Sequence, residues 1–150
     1  MKRVFGPIPR THLSLRRMLV VDDQVFNIEF LRCQIELIPS MTGRADYVDN
    51  GQAAVDLVLD NLRSKEEHPD LPFWGYSLIL LDYSMPNMDG PATAINICNA
   101  YRHYDATPPH IVCLTAFTEK IYKDKACDSG MNEFISKPID NNKLRKIMRE

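Results

Sequence analysis

The sequence predicts an α/β fold, in which a doubly wound parallel β-sheet is covered by helices on both faces. Two observations support this prediction. Five short predicted strands alternate with five segments of helical periodicity, and in three of the strands, 18–21, 78–81 and 111–114, the apolar residues are continuous. A strand that is apolar on both sides is buried on both faces, as in parallel sheets whose crossover helices cover them. The length of 150 residues is enough for one domain with a sizeable core.

The first half of the chain contains two strands, two helices and a long connection. Residues 18–21 form the first predicted strand, and 44–48 a weaker second strand that precedes the turn signal Asn50-Gly51. The first helix has an inward stripe that ends where Pro39 and Ser40 break the pattern: Ile28, Leu31, Ile35 and Ile38. The second helix has its own apolar face: Val55, Val58, Leu59 and Leu62. Residues 64–75 are polar and then proline-rich, so we predict a loop there.

The second half continues the alternation. We predict strands at 78–81, 111–114 and 133–136. A helix over 91–104 starts with a proline in its first turn, where proline is tolerated. A mostly polar helix over 118–128 ends at Gly130. The last helix spans 141–149 and directs three apolar residues inward: Leu144, Ile147 and Met148.

Composition and charge exclude several classes of function. A net charge of −2 gives no indication of nucleic acid or an anionic membrane as the main partner. No apolar run approaches the roughly 20 residues that span a bilayer, and the N-terminus has no secretory pattern. The four cysteines are scattered, without a Cys-x-x-Cys pair, which argues against a zinc site: Cys33, Cys98, Cys113 and Cys127. Scattered, unpaired cysteines are typical of reduced thiols, so we expect a cytoplasmic protein. The lack of a spanning apolar run also leads us to expect no membrane contact by this chain itself.

Chemically active side chains stand where four predicted strands end. Asp22 and Asp23 follow the first strand, Asp82 the third, Thr115 the fourth and Lys137 the fifth. In open parallel sheets, ligands bind at the carboxyl ends of the strands. These five residues are therefore the predicted site.

Three carboxylates at one edge of a sheet repel one another, and a hard divalent cation relieves that repulsion. Mg²⁺ suits two carboxylates, a carbonyl oxygen and several waters. A lysine and a hydroxyl opposite would face the oxygens of a bound phosphoryl group. Together, these groups predict phosphoryl transfer to an aspartate.

Each of these residues alone has an ordinary structural interpretation. An aspartate after a strand is more often a helix cap, and Asp22-Asp23 could cap the helix that starts near Val25. Lys137 could be a solvated surface lysine. Asp89 is interpreted as a turn residue beside Gly90 and not as a metal ligand. The coincidence at four strand ends favours the functional interpretation for the set.

Four motifs carry a family resemblance: VVDDQ at 20–24, LLDYSMPNMDG at 80–90, LTA at 114–116 and FISKP at 134–138. In this order and at strand ends, they resemble the receiver domain of two-component response regulators. The resemblance implies a flavodoxin-like fold with strand order 2-1-3-4-5. It also implies Asp82 as phosphoacceptor, Asp23 as direct Mg²⁺ ligand and Asp22 as holder of a metal-bound water. The Ser84 backbone carbonyl would complete the ligands, with Thr115 and Lys137 on the phosphoryl oxygens.

The resemblance also implies a partner and a context. The phosphodonor would be a histidine kinase or a histidine-containing phosphotransfer protein. Gln24 replaces an asparagine common in receivers of hybrid histidine kinases, but Asn27 and the NMDG segment resemble those receivers. Residues 17–150 would form the receiver, alone or as part of a hybrid kinase, and 1–16 a basic tail or linker. The long connection, 63–75, is expected to be a surface elaboration without a catalytic role.

Two other functions remain as alternatives. An aspartyl-phosphate hydrolase of the haloacid-dehalogenase type needs a second acid two residues after its nucleophile, and that position is Ser84. A pseudo-receiver that only binds partners would lack an acid or the lysine, and both are present. We therefore expect no enzymatic turnover by the isolated domain beyond self-phosphorylation and autodephosphorylation.

Two further expectations concern the phosphorylated form. The switch pair implied by the family is Thr115 and Phe134, and Phe134 is predicted to favour the inward position even without phosphate, because it has no hydroxyl. The positions flanking the attacking water are Ser84 and Phe117. Either the Phe117 ring covers the site and slows hydrolysis, or it packs against the fourth helix and leaves the site open.

Overall fold

The computed structural model describes residues 17–70 and 75–149, and the predicted 1–16 tail lies outside these residues. Strands and helices alternate along the chain, as the sequence predicts. The strands are β1 (Met18–Val21), β2 (Ala45–Val48), β3 (Leu78–Asp82), β4 (His110–Thr115) and β5 (Glu133–Ser136). The helices are α1 (Val25–Glu36), α2 (Gly51–Glu67), α3 (Gly90–His103), α4 (Lys120–Asp128) and α5 (Asn141–Arg149).

All five strands are parallel and lie in the order β2-β1-β3-β4-β5, which confirms the predicted topology. The chain starts in the interior of the sheet, moves outward to β2, and then crosses back over β1 to β3. The order therefore reverses beside β1, and the carboxyl ends of β1 and β3 are adjacent there. In open sheets, ligand sites lie at this reversal of strand order.

Alternate residues of the central strands enter two separate cores. Leu19 and Val21 of β1 join the core under α2, α3 and α4, whereas Met18 and Val20 join the core under α1 and α5. Every residue of β1 and β3 is buried, as expected for a sheet covered on both faces. The packing on both faces thus fixes the central strands and the positions of the residues at their ends.

Several boundaries differ from the prediction. Helix α2 continues to Glu67, so the predicted loop at 64–75 and the predicted insertion at 63–75 both begin too early. The polar residues Ser64, Lys65 and Glu66 extend the helix on its solvent side, and polar composition alone does not distinguish such a turn from a loop. Helix α1 ends at Glu36 rather than at Ile38, and α4 begins at Lys120 rather than at 118. Strands β3 and β4 include Asp82 and Thr115 as their last residues.

A buried polar group lies at the amino edge of the sheet. The Tyr76 hydroxyl donates to Asp46 Oδ2 at 2.6 Å, and Arg17 Nη2 lies 3.3 Å from the same oxygen. The Arg17 guanidinium also lies 5.5 Å from the centre of the Tyr76 ring. Tyr76 is buried in the core, although its place beside the long connection suggests packing within a loop. This amino-edge group ties the start of β1 to β2 and to the segment before β3.

Within the described residues, no helix has the length and apolar character that crossing a bilayer requires. All four cysteines are free thiols.

Candidate functional site

Three carboxylates meet at the carboxyl edge of the sheet. Asp82 is the last residue of β3, and Asp22 and Asp23 follow β1 directly, so the adjacent strand ends bring them together. One oxygen from each lies within 4.8 Å of the others. Asp22 and Asp82 are buried, and Asp23 is partly exposed. The sequence prediction that these three residues form one cluster is consistent with this geometry.

Asp22 is held by hydrogen bonds from the start of α1. Its Oδ1 accepts from the Gln24 backbone N–H at 2.9 Å, and its Oδ2 accepts from Asn27 Nδ2 at 3.2 Å. The N-cap of α1 is Gln24, which makes no side-chain capping bond. Neither aspartate is therefore the N-cap residue of this helix, although Asp22 accepts from the N–H of Gln24.

Lys137 brings the one cation that directly contacts the acidic cluster among the described residues. It follows β5, and its backbone N–H donates to the Thr115 carbonyl at 2.7 Å, which fixes the chain at the site. Its Nζ lies 2.9 Å from Asp82 Oδ1 and 3.3 Å from Asp22 Oδ2. The peptide bond from Lys137 to Pro138 is cis. Lys137 is thus an ion-pair partner of both buried carboxylates rather than a solvated surface lysine.

One lysine does not neutralise the cluster. Burial, together with the charges of Asp22 and Asp23, raises the pKa of Asp82 from 3.8 to about 6, despite the opposing effect of Lys137. Burial alone would lower the pKa of Lys137, but its contacts with Asp82 and Asp22 outweigh burial and raise it. The acidic edge therefore has an excess of negative charge that the described residues leave uncompensated.

Thr115 ends β4 beside the cluster and is buried. Its hydroxyl oxygen accepts a hydrogen bond from the Phe117 N–H at 2.9 Å, which leaves the hydroxyl proton available for another acceptor. The Phe117 ring stacks on Tyr122 of α4 with centroids 4.5 Å apart, and it meets Tyr83 edge-on at 6.3 Å. Of the two predicted positions for this ring, the structure has the one packed against the fourth helix.

Two predicted residues remain, Ser84 and Phe134. Ser84 is exposed in the loop that follows Asp82, two residues beyond it. Phe134 of β5 is partly buried, packs against the core under α2, α3 and α4, and lies 5.6 Å from Lys123 Nζ on α4. Asp89, predicted to be a turn residue, is the N-cap of α3 and accepts from the Ala92 N–H at 2.9 Å.

Comparison with known proteins identifies this arrangement. The sequence model of the response regulator receiver domain matches residues 18–149. The chain belongs to that family.

Its relatives are histidine kinases much longer than this chain. It is 34% identical to the osmosensing histidine protein kinase SLN1 of Saccharomyces cerevisiae over 89% of this chain. It is 31% identical to the sensor histidine kinase GacS of Pseudomonas protegens over 93% of this chain. The match covers only 10% of the length of SLN1 and 14% of that of GacS. The expected resemblance to receivers of histidine kinases is confirmed.

Solved structures share the fold of this receiver domain. The receiver domain of the Arabidopsis thaliana histidine kinase CKI1, complexed with Mg²⁺ and BeF₃⁻, superposes with a TM-score of 0.76 at 23% identity, covering 97% of this chain and 99% of that one. The receiver domain of the Saccharomyces cerevisiae response regulator Ssk1, crystallised with the histidine phosphotransfer protein Ypd1, gives a TM-score of 0.71 at 24% identity. That match covers 89% of this chain and 87% of the other.

A cleft beside the acidic cluster was not predicted. It has a volume of about 420 Å³ and runs between α1 and the segment after β5. Asp22 and Lys137 line it, and most of its other lining residues are apolar: Phe26, Phe30, Leu31, Leu114, Pro138 and Ile139. The sequence did contain a signal for this cleft, because Phe26 and Phe30 are four residues apart on α1 but lie off the inward stripe.

Asn27 is a further site residue, because its side chain donates to Asp22. In the sequence it stands out only through the family resemblance.

Proposed function

We propose that this receiver domain accepts a phosphoryl group on Asp82 from a phosphohistidine, with Mg²⁺ bound at the acidic cluster. The observation that carries the proposal is the meeting of Asp22, Asp23 and Asp82 within 4.8 Å, with the ammonium of Lys137 2.9 Å from Asp82. Three carboxylates and a lysine at one edge of the sheet support roles as nucleophile, metal ligands and phosphoryl-binding cation.

The donor set fits Mg²⁺, which prefers hard oxygen ligands and retains several waters. Asp23 and Asp82 would bind the ion directly, and Ser84 would add its backbone carbonyl. Asp22 would hold a metal-bound water, since Gln24 and Asn27 already fix its two oxygens. When bound, the ion supplies positive charge that offsets both the carboxylate repulsion and the charge of the phosphoryl oxygens.

The transfer step depends on these positions. A carboxylate oxygen of Asp82 attacks phosphorus as the bond from phosphorus to the imidazole nitrogen breaks, and the electron pair remains on the imidazole. Lys137, whose Nζ lies 2.9 Å from Asp82 Oδ1, would bind the negatively charged phosphoryl oxygens after transfer. The Thr115 hydroxyl, whose oxygen already accepts from the Phe117 N–H, can donate its proton to one of them.

The cleft supports docking of a histidine-bearing partner. The Phe26 side chain is 81% exposed and that of Phe30 46%, which is unusual for aromatic residues. Both line the same cleft as Asp22 and Lys137. A histidine kinase or a histidine-containing phosphotransfer protein with an apolar helix face would bury these rings while bringing its imidazole to Asp82. The complex of Ypd1 with the Ssk1 receiver supports a partner of this kind.

The proposed output is a change in the surface formed by α4, β5 and α5. Thr115 would move towards the phosphoryl group, and Phe134, which is partly buried here, would favour the inward position behind it even without phosphate. Hydrolysis would be tuned mainly by Ser84, with a smaller effect from Phe117, whose ring stacks on Tyr122 of α4. We place the domain in the cytoplasm, where its four free thiols would remain reduced. Residues 17–150 would be the receiver and 1–16 a tail or linker.

Incubation with a small phosphodonor and Mg²⁺, followed by intact mass, tests this function. We expect one phosphoryl adduct in wild type and none in Asp82→Asn. Continuous release of phosphate without an adduct would indicate the hydrolase alternative, and no reaction would indicate a pseudo-receiver. Ser84 at the position of the hydrolase acid argues against turnover.

Docking has a separate test. Phe26→Ala should slow transfer from a phosphorylated phosphotransfer protein, relative to transfer from the small phosphodonor, by about tenfold. Leu37→Ala is the matched control, because Leu37 follows the end of α1, is 78% exposed and does not line the cleft. Equal slowing by both variants would show that the cleft is not the docking surface.

A further inference from the structure

The first turn of α2 touches the loop that follows Asp82. Gly51, the first residue of α2, is buried, and a β-carbon there would overlap Thr93 Oγ1 on α3. The same β-carbon would lie 3.1 Å from both the side chain and the carbonyl oxygen of Met88. Glycine is therefore required here by a close approach between two elements, and not by its backbone angle.

Thr93 has little freedom to move away from such a β-carbon. It is fully buried, and its hydroxyl donates to the Asp89 carbonyl at 2.7 Å, in addition to the backbone bond from its own N–H at 2.9 Å. Interiors are packed closely enough that a displaced side chain moves its neighbours. A displacement of Thr93 would therefore be passed to Asp89.

Asp89 ends a short loop whose other end is Asp82. The loop is closed by a hydrogen bond from the Gly90 N–H to the Tyr83 carbonyl at 2.8 Å. At Gly90, a β-carbon would lie 2.5 Å from the Asp82 carbonyl oxygen and 2.8 Å from Tyr83 Cα. Gly90 thus closes the loop onto Asp82 and Tyr83, and the end of the loop at Met88 also lies against α2 through Gly51.

We infer that Gly51 is a positioning residue for the metal site. Because it has no β-carbon, α2 packs closely against Thr93 and Met88, and this contact fixes the loop that contains Ser84. This inference rests on the proposed function, because the Ser84 carbonyl is a proposed Mg²⁺ ligand. Gly51 touches no reacting atom and acts through Thr93 and the loop.

The test is Mg²⁺ affinity of the full chain, measured by direct titration. In Gly51→Ala, we expect the Kd for Mg²⁺ to rise about tenfold, the effect of misplacing a ligand through its supporting contacts. Gly51→Ala/Thr93→Ala removes the Thr93 hydroxyl that the new β-carbon would overlap, and its Kd should return to within about threefold of Thr93→Ala alone. Gln52→Ala, an exposed change in the same turn, is the control and should match wild type.

An unchanged Kd in folded Gly51→Ala, or no recovery in the double variant, would overturn the inference and leave Gly51 with a packing role only. If Gly51→Ala does not fold, Thr93→Val decides the question. It keeps the shape of the side chain but removes the hydroxyl bond to Asp89, and the Kd should rise about threefold. An unchanged Kd there would equally overturn the inference. Wild-type chain that neither binds Mg²⁺ nor gains a phosphoryl group would instead contradict the proposed function.

Discussion

The two edges of the sheet differ in how far the charge of their acidic side chains is compensated by neighbouring residues. At the amino edge, the carboxylate of Asp46 meets the guanidinium of Arg17 at 3.3 Å and the hydroxyl of Tyr76 at 2.6 Å. At the carboxyl edge, three carboxylates meet one directly contacting lysine, and the pKa of Asp82 is raised to about 6. The charge of Asp46 is compensated by neighbouring side chains, and this group contributes to the stability of the fold. Charge that it leaves uncompensated is typical of a site where a ligand brings the missing charge.

The largest expected effect at the amino edge is on stability. Asp46→Asn removes the carboxylate that Arg17 contacts and weakens the acceptor of the Tyr76 hydroxyl, so the free energy of unfolding should fall by about 2–3 kcal/mol. Urea denaturation measures this change. The Mg²⁺ affinity of the folded protein should remain that of wild type, and a parallel loss of affinity would show that the two edges are not independent.

At the carboxyl edge, Asp23→Asn should have a smaller and different effect. Mg²⁺ should bind at least about tenfold more weakly, because a direct ligand contributes no less than a supporting one. Stability without metal should be unchanged or higher, because one repelling charge has been removed. Titration with Mg²⁺ at pH 7 gives the affinity, and an unchanged affinity would remove Asp23 from the ligand set.

Mg²⁺ affinity should also depend on pH in a defined direction. The pKa of Asp82 is raised to about 6, and the metal requires the ionised carboxylate, so protons compete with Mg²⁺ below that pH. The apparent affinity should be nearly constant from pH 7 to 8 and fall by up to about tenfold for each unit below pH 6. Isothermal titration at pH 5 and pH 7.5 distinguishes this from a site without a raised pKa, whose affinity would be equal at both.

The smallest expected effect is that of Phe117 on hydrolysis. Its ring stacks on Tyr122 of α4 and contacts Tyr83. We therefore expect that, in this arrangement, the ring does not block the approach of water to Asp82. Phe117→Ala should therefore change the decay rate of the phosphorylated form by less than about threefold. Decay that is tenfold faster or more would show that the ring moves over the site after phosphorylation.

Much of the fold and the cluster could be predicted because both depend on local patterns. Continuous apolar runs indicated the sheet, and a parallel sheet brings its strand ends to one edge, so Asp22, Asp23 and Asp82 had to converge. The end of α2 was misplaced because Ser64, Lys65 and Glu66 are polar both in a solvent-facing helix turn and in a loop.

Other features depend on contacts that sequence patterns do not encode. The amino-edge group joins Arg17, Asp46 and Tyr76 across three segments, and nothing in their spacing indicates that they meet. The direction of the Phe117 ring is set by Tyr122, five residues further on in a different element. The requirement for glycine at position 51 comes from Thr93 on another helix.

The free energy of unfolding of Asp82→Asn in metal-free buffer at pH 7.5 tests the comparison of the two edges most directly. A pKa raised by about two units means that the folded state holds this charge less favourably than water does, by about 3 kcal/mol. We therefore predict that the variant is more stable than wild type without metal, by about 1–3 kcal/mol, and that Mg²⁺ stabilises wild type much more than the variant. A variant destabilised as much as Asp46→Asn would contradict the account, because Asp82 would then be compensated within the fold.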